Sequence, residues 1–309
     1  MSDPDKLVSV VVANYNMGKY LAEAVNSALN QTYPHIEVNV VDDGSTDDSR
    51  QVMEQFAGDA RVRYHYQENG GQAKAKNLGI RESRGAFIGF LDADDLWSAD
   101  KVEKQLPGFT SDKIGIVYTH VQFIDPSGRP LPTPRQDYYT GRISDQLLID
   151  NFVTGMCSIV RRECFDTLGL FDESLPMGID YDLWLRFSTR YEFAFIDEAT
   201  YFYRQWPGQM SHNQAKRFDC AMMIMRRFLE QNPGLVDPAK VHEAWAHTFV
   251  ARGNSVWRGA EKSRSQALGF YVKALKESPL YGPAWRAIAK VALPDAAVRL
   301  VQRTIGDGV

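Results

Sequence analysis

The 309-residue sequence predicts an α/β fold, a doubly wound sheet of mainly parallel strands with a C-terminal helical appendage. Three observations carry this. Short β-rich runs alternate with amphipathic stretches of helix length from Val8 to about Gly115, the pattern becomes purely helical beyond residue 213, and the charge balance changes sign at the same place. Residues 1–213 hold 20 Lys and Arg against 31 Asp and Glu, whereas residues 214–309 hold 15 against 8. The expected domains are therefore an acidic 1–213 and a basic 214–309, which meet different partners.

The first strand is Val8 to Ala13, and the helix after it, Tyr20 to Asn30, sets Leu21, Val25, Ala28 and Leu29 on one face. Strands follow at Ile36 to Val41, Val62 to Tyr66 and Ala86 to Leu91, separated by helices at Asp47 to Phe56 and Gln72 to Ser83. Crossovers of that length make a parallel sheet covered on both faces, which binds ligands beyond the carboxyl ends of its strands. The next stretch is less regular: a strand at Ile116 to Thr119, a proline-containing loop from Pro126 to Tyr139, a helix at Asp182 to Thr189 and a strand at Ala199 to Arg204. The Gly/Pro-punctuated segment WPGQMSHN, Trp206 to Asn213, reads as a linker or lid. Helices then follow at Ala215 to Glu230, Pro238 to Val256, Glu261 to Glu277 and Pro283 to Val291. The last pair resembles one tetratricopeptide unit, and one copy makes no array.

An apolar fraction of 44% with 24% charged residues excludes a disordered or collagen-like chain. No apolar run approaches the roughly 18 residues of a membrane-spanning helix, and the start MSDPDK has neither the cationic stretch nor the apolar core of a secretion leader. Cys157, Cys164 and Cys220 form no CxxC pair, as expected for small buried thiols in a reducing compartment. A cytosolic protein is expected. The acidity of the first part argues against a nucleic-acid partner. The basic helices would suit peripheral contact with anionic lipid at the inner face of a membrane, or a homo-oligomer contact.

The strongest chemical cluster is FLDADDLW, Phe90 to Trp97, directly after an apolar strand. In extended chain Asp92 and Asp94 face the same way while Asp95 points elsewhere. Like-charged carboxylates at a strand end repel unless a cation is near, and hard divalent ions take oxygen ligands, so Mg²⁺ or Mn²⁺ carrying a diphosphate fits. A second cluster is VVDDGSTDDS, Val40 to Ser49, where Ser45 and Asp48 read as a capping box and Asp42 and Asp43 precede it as acceptors for a base N–H. In ANYN, Ala13 to Asn16, a small residue beside Tyr15 would let a flat base stack on the ring. In PMGIDYDLWLR, Asp180 and Asp182 lie about 200° apart on a helix, so only one faces a given site. Asp180 is the expected general base, kept ionised by the helix terminus, and Asp182 reads as an N-cap. The chain contains no GxGxxG or GxxxxGK[ST] motif, and His242 and His247, five apart, sit too far round a helix to share a metal.

Taken in order, VSVVVANYN, SALNQTYPHIEV, VDDGSTDDS, GGQAKAKNLGIRESRGAFIGFLDADD and GLFDESLPMGIDYDLWLR resemble the inverting family 2 glycosyltransferases with the GT-A fold, over roughly residues 7 to 213. The resemblance implies that Ala13, Tyr15 and Asp43 hold the base of a nucleotide-sugar donor, usually a UDP-sugar. Lys76, where the family more often has Arg, would lie near the diphosphate or ribose. Asp92 and Asp94 would be the DXD acids, with Asp94 on the divalent metal and Asp95 as a second metal candidate. Asp180 matches the acid that takes the proton of the acceptor hydroxyl on a glycan or lipid-linked molecule. Two positions depart from the family: Ile179 stands where Glu often precedes the base, and Trp206 stands where His is common, with His212 a substitute. A nucleotidylyltransferase would instead start with a Gly-rich basic loop, and a nucleotide-sugar-binding scaffold without turnover is the non-enzymatic alternative.

Overall fold

The computed structural model describes residues 7–134, 136–154, 156–209, 213–259 and 263–292. His212 and the expected helix start at Glu261 lie outside the described residues. The chain divides into two compact units, one running to Leu147 and resuming over Asn151–His212, the other comprising Leu148–Asp150 and the chain from Asn213 onward.

The first unit runs β1 (Val8–Asn14), α1 (Gly18–Leu29), β2 (Ile36–Asp43), α2 (Ser49–Glu54), β3 (Val62–Gln67), α3 (Gln72–Glu82) and β4 (Phe87–Asp92). It continues with β5 (Leu96–Trp97), α4 (Lys101–Gln105), β6 (Ile114–Ile124), α5 (Ser144–Ile149, its last two residues belonging to the second unit), β7 (Ser158–Arg161), α6 (Arg162–Leu168), α7 (Ile179–Ser188) and β8 (Glu192–Arg204). All eight strands join one mixed sheet in the order β3-β2-β1-β4-β7-β6-β8-β5. The expected parallel half is present: β1 pairs in parallel with β2 and β4, and β2 with β3. Both faces of this half are covered, which is why Val8, Val10, Val11, Val12, Val38 and Val40 are buried without alternation.

The chain leaves β1 toward β2 and β3 and then returns to place β4 on the other side of β1, so the strand order reverses between β1 and β4. In an open α/β sheet the ligand crevice lies at such a reversal, beyond the carboxyl ends. The register aligns the candidate residues there: Ala13 is opposite Asp92, and Asn14 is opposite Asp42. Gly89 lets the Trp97 ring press on β4, since a Cβ there would lie 2.6 Å from Trp97 Cη2. β7 runs antiparallel to β4 with Gly89 opposite Ile159. The start of β7, and the segment leading into it, therefore lie at the same sheet end as Asp92.

The second unit contains α8 (Gln214–Gln231), α9 (Pro238–Arg258), α10 (Arg264–Glu277) and α11 (Gly282–Ala292). Ala246, Val250, Ala267, Tyr271, Ala274, Ala284, Ala287 and Val291 form one buried cluster shared by its last three helices. Small residues at helical spacing let these helices approach closely, with Tyr271 filling the gap and donating its hydroxyl to Asn254 at 3.0 Å. His242 is exposed, with Nδ1 3.1 Å from Glu277 Oε2. Among the described residues no helix is long and apolar enough to cross a membrane.

Candidate active site

The loops after β1 and β2 are stapled together by side chains that the sequence suggested for other uses. Ser45 Oγ accepts hydrogen bonds from Asn14 Nδ2 at 3.1 Å and from Asn16 N at 2.8 Å, and Thr46 N donates to Asn16 Oδ1 at 2.8 Å. The capping box expected of Ser45 and Asp48 is thus absent. Asp48 stands at the N-cap position with no side-chain cap bond, and Asp47 instead takes Ser49 N at 3.0 Å and Gly18 N at 2.9 Å. A hydroxyl that reaches across to a neighbouring loop is no longer available to its own helix.

Between these loops Tyr15 stands 49% exposed, a ring open to stacking rather than packed in the core. Asp42 and Asp43 are both buried. Asp42 accepts from Ser45 N at 2.8 Å and from the Tyr64 hydroxyl at 2.7 Å. Asp43 Oδ1 accepts from Gln67 Nε2 at 2.6 Å and Gly70 N at 2.8 Å, while Oδ2 accepts from Gly71 N at 2.8 Å. Asp43 therefore shapes the loop that leads into α3, and its Oδ2, with one donor, keeps a lone pair for a further N–H.

The Asp92–Asp95 turn follows β4 and is gripped on three sides. Lys76, fully buried on α3, places Nζ 2.9 Å from Asp92 Oδ1. Trp206 Nε1 donates to Asp94 Oδ2 at 2.8 Å. Asp95 is buried, with Oδ2 accepting from the Tyr201 hydroxyl at 2.5 Å and Oδ1 from Arg204 N at 2.7 Å. Burial, then the neighbouring charges of Asp94 and Asp92, push the Asp95 carboxyl well above the usual carboxylate range despite those bonds. Asp94 is raised by the same two causes, burial first and then the charge of Asp92, against the opposing bond from Trp206.

The structure separates roles that the sequence left joined. Asp92 ends β4 and Asp94 stands in a turn closed by Asp95 N donating to Asp92 O at 3.0 Å, so the chain there is not the extended form on which alternation rests, while Asp95 points inward and bolts the turn to the end of β8. Buried and bonded to Tyr201 through one oxygen and Arg204 N through the other, Asp95 anchors the turn to β8. Arg204 completes the bolt: it is fully buried, donates Nε to Asp94 O at 2.7 Å and NH1 to Pro126 O at 3.0 Å, and pairs with Glu23 at 2.7 Å.

Asp180 is the second residue of α7, whose N-cap Gly178 takes φ 73°, a left-handed conformation that glycine adopts without strain. Asp180 Oδ2 accepts from Asn151 Nδ2 at 3.1 Å. Asp182 is not the cap: it is buried and pairs with Arg186 Nε at 2.9 Å. Asn151 lies in the segment leading into β7, so topology brings Asp180 to the sheet end that carries the Asp92–Asp95 turn. The start of β7 is fixed by the Cys157 carbonyl, which accepts from Lys101 Nζ at 2.9 Å and Gln105 Nε2 at 3.0 Å. Lys101 is wholly buried, and burial lowers its ammonium to about 7. Cys157, Cys164 and Cys220 are free and buried, as expected.

A cavity of about 300 Å³ lies beside Trp206, lined by residues that include Asn16, Lys19, Tyr20, Asp47 and Asp48. Apart from Trp206 its lining comes from the loops after β1 and β2 and from the start of α1. Among the described residues no group of three or more His, Cys, Asp or Glu side chains converges to hold a metal. A hard cation that arrives on a diphosphate needs only one or two protein carboxylates. Asp94, half-buried beside the charge of Asp92, carries an excess of negative potential that such a cation would relieve, so the donor set fits.

The glycosyl transferase family 2 model matches residues 9–169, more than half of the chain. The chain belongs to that family. It is 37% identical over 187 residues to an uncharacterized glycosyltransferase of Rickettsia typhi, covering 59% of this chain and 58% of the relative. It is 34% identical over 197 residues to the chondroitin synthase of Escherichia coli, covering 63% of this chain and 28% of that enzyme. The chain thus spans less than two thirds of the length of these curated relatives. Among solved structures, S. aureus TarS 1–349 in complex with UDP-GlcNAc superposes with a TM-score of 0.67 at 21% identity, covering 88% of this chain and 82% of that one. The mannosyltransferase PcManGT from Pyrobaculum calidifontis, in complex with GDP-Man and Mn²⁺, gives 0.57 at 18% identity, covering 94% and 86%. At these identities the likeness establishes the GT-A fold.

The sequence drew attention to Trp206 only as a departure from the family, and passed over Arg204, Tyr201 and Asn151 entirely. The signal for Tyr201 and Arg204 was their place in a β-rich run, where an Arg later found fully buried reads as one more exposed strand residue.

Proposed function

We propose that this chain transfers a sugar from a UDP-sugar to a hydroxyl of a glycan or lipid-linked acceptor, with inversion at the anomeric carbon and with Mn²⁺ or Mg²⁺ bound. The observation that carries the reading is the Asp92–Asp95 turn at the strand-order reversal, with Lys76 on one acid and an open aromatic face, Tyr15, on the neighbouring strand end. The donor's base would stack on Tyr15 beside Ala13 and offer an N–H to Asp43, and Lys76 and Asp92 would border the ribose and diphosphate. A divalent cation held by Asp94 supplies charge neutralisation of the departing nucleoside diphosphate.

Asp180 receives the proton of the acceptor hydroxyl as the oxygen–carbon bond forms. The bond from the anomeric carbon to the diphosphate oxygen breaks, and its electron pair leaves with the nucleoside diphosphate. Asn151, on the other oxygen's side of Asp180, orients the carboxylate for that transfer. Incubation with an α-linked UDP-sugar panel and an acceptor panel, read by NMR of the anomeric proton, tests the reading. It expects a β-linked product that is absent with Asp180→Asn, and a product of retained configuration contradicts it.

The basic balance of residues 214–309 suits contact with an anionic lipid surface that carries the acceptor. Co-sedimentation of the full chain with phosphatidylglycerol vesicles is expected at low salt and lost at high salt. Sedimentation equally strong with neutral vesicles contradicts it.

A further inference from the structure

Asp94, the acid this reading gives to the metal, is held from outside its own strand by one short loop. Trp206 Nε1 donates to Asp94 Oδ2 at 2.8 Å, and two residues earlier Arg204 Nε donates to the backbone oxygen of the same residue at 2.7 Å. Side chain and backbone of Asp94 are thus fixed by a single segment at the end of β8.

That segment is itself braced. Gln209 Oε1 accepts from Trp206 N at 3.3 Å and Gln209 Nε2 donates to Arg204 O at 2.6 Å, and the same side-chain amide, like Trp206, favours the ionised Asp94 carboxylate by hydrogen bonding. Gly208 has φ 101° and lies against the indole, with Trp206 Cζ3 3.1 Å from where a Cβ would stand. The turn therefore folds back under the ring and sets its direction.

An indole N–H donates and never ligates. A carboxylate with one oxygen on such a donor cannot rotate freely, and its other oxygen is aimed. We propose that Trp206 is a positioning residue for the divalent cation: by holding Asp94 Oδ2 it sets the orientation of the carboxylate that meets a cation arriving with the nucleotide diphosphate. The proposal rests on the metal-dependent donor reading given above. Because Trp206 adds no ligand of its own, the cation binds tightly only when diphosphate oxygens complete its shell.

Electron paramagnetic resonance of free Mn²⁺ tests this on the full chain, with and without UDP. Wild type is expected to take up Mn²⁺ with UDP and little without it. Outer-sphere hydrogen bonds to ligating groups are worth roughly 10- to 100-fold in metal affinity, so Trp206→Phe should weaken Mn²⁺ uptake in the presence of UDP by about that factor. UDP affinity without metal should stay within about twofold, which a general loss of structure would not allow. Trp206→His, which keeps an N–H, should recover much of the loss. If wild type takes up no Mn²⁺ with UDP, the metal-dependent donor reading falls and this proposal with it. If wild type does and Trp206→Phe matches it or binds Mn²⁺ more tightly, only the Trp206 proposal is overturned. Should Trp206→Phe fail to fold, the ¹⁵N indole spectrum of wild type decides: Mg²⁺ with UDP must shift one indole N–H that Mg²⁺ alone leaves in place, and an unchanged spectrum overturns the proposal.

Discussion

Raising the pH from 7 to 9 should stabilise the wild-type chain relative to Lys101→Met by about 2 kcal/mol. Lys101 lies wholly buried between the rings of Trp97 and Tyr201, 5.1 and 5.9 Å from their centroids, with the Cys157 carbonyl 2.9 Å from Nζ. Burial brings its folded pKa to about 7, against 10.5 for the ordinary lysine of an unfolded chain. Between those values the unfolded chain holds the proton more fully than the folded one, so stability rises with pH across that window. Near pH 7 the folded group is half protonated, and by pH 9 it is almost wholly neutral. An average difference of somewhat under one proton over two pH units, at about 1.4 kcal/mol per unit, gives the 2 kcal/mol. Met has similar length, and the Cys157 carbonyl keeps its bond from Gln105 Nε2, so the substitution removes the titration and little else. Urea unfolding of both proteins at the two pH values measures the difference, in which every other titrating group cancels. A wild-type minus variant stability that is the same at pH 7 and pH 9 would refute the reasoning, since Nζ would then keep its ordinary pKa.

Asp95→Ala leaves the Tyr201 hydroxyl and the Arg204 amide without a buried acceptor and should cost about 3–5 kcal/mol in denaturant unfolding. Asp95→Asn keeps an acceptor for Arg204 N and should cost about 1 kcal/mol, so equal losses would mean that charge itself holds the turn. Tyr15→Ala should weaken UDP binding by about 1–3 kcal/mol, the usual worth of a stacked base; calorimetry giving an unchanged affinity would move the base elsewhere. Asp180→Asn should lower kcat by roughly 10²- to 10⁴-fold with donor affinity kept, because the amide preserves the contact with Asn151 but cannot take a proton. Steady-state rates beside UDP titration check both halves of that expectation.

The parallel half of the sheet was legible because periodicity and burial agree there. Runs such as VSVVVA, buried on both faces, can only be central strands, and the helices between them carry their apolar residues on one side. The irregular half was less so. β5 is two residues long and β7 four, too short to show a period, and the first part of β8 alternates too weakly to stand out. At the site, alternation along extended chain does not govern Asp92, Asp94 and Asp95, because residues 93 and 94 form a turn after β4. The partners of these acids could not be read, because Trp206, Tyr201 and Arg204 lie more than 100 residues away and meet the turn only through the pairing of β8 with β5. The same limit explains Ser45: its local pattern is that of a helix cap, and only the neighbouring loop reveals its other use.

Isothermal titration of UDP into the chain, with and without Mn²⁺, on wild type and Asp94→Ala, tests the central claim most directly because it needs no knowledge of the acceptor. The account predicts that Mn²⁺ strengthens UDP binding by wild type and that Asp94→Ala abolishes this gain. UDP binding that ignores Mn²⁺, or a metal effect that survives in Asp94→Ala, would contradict it.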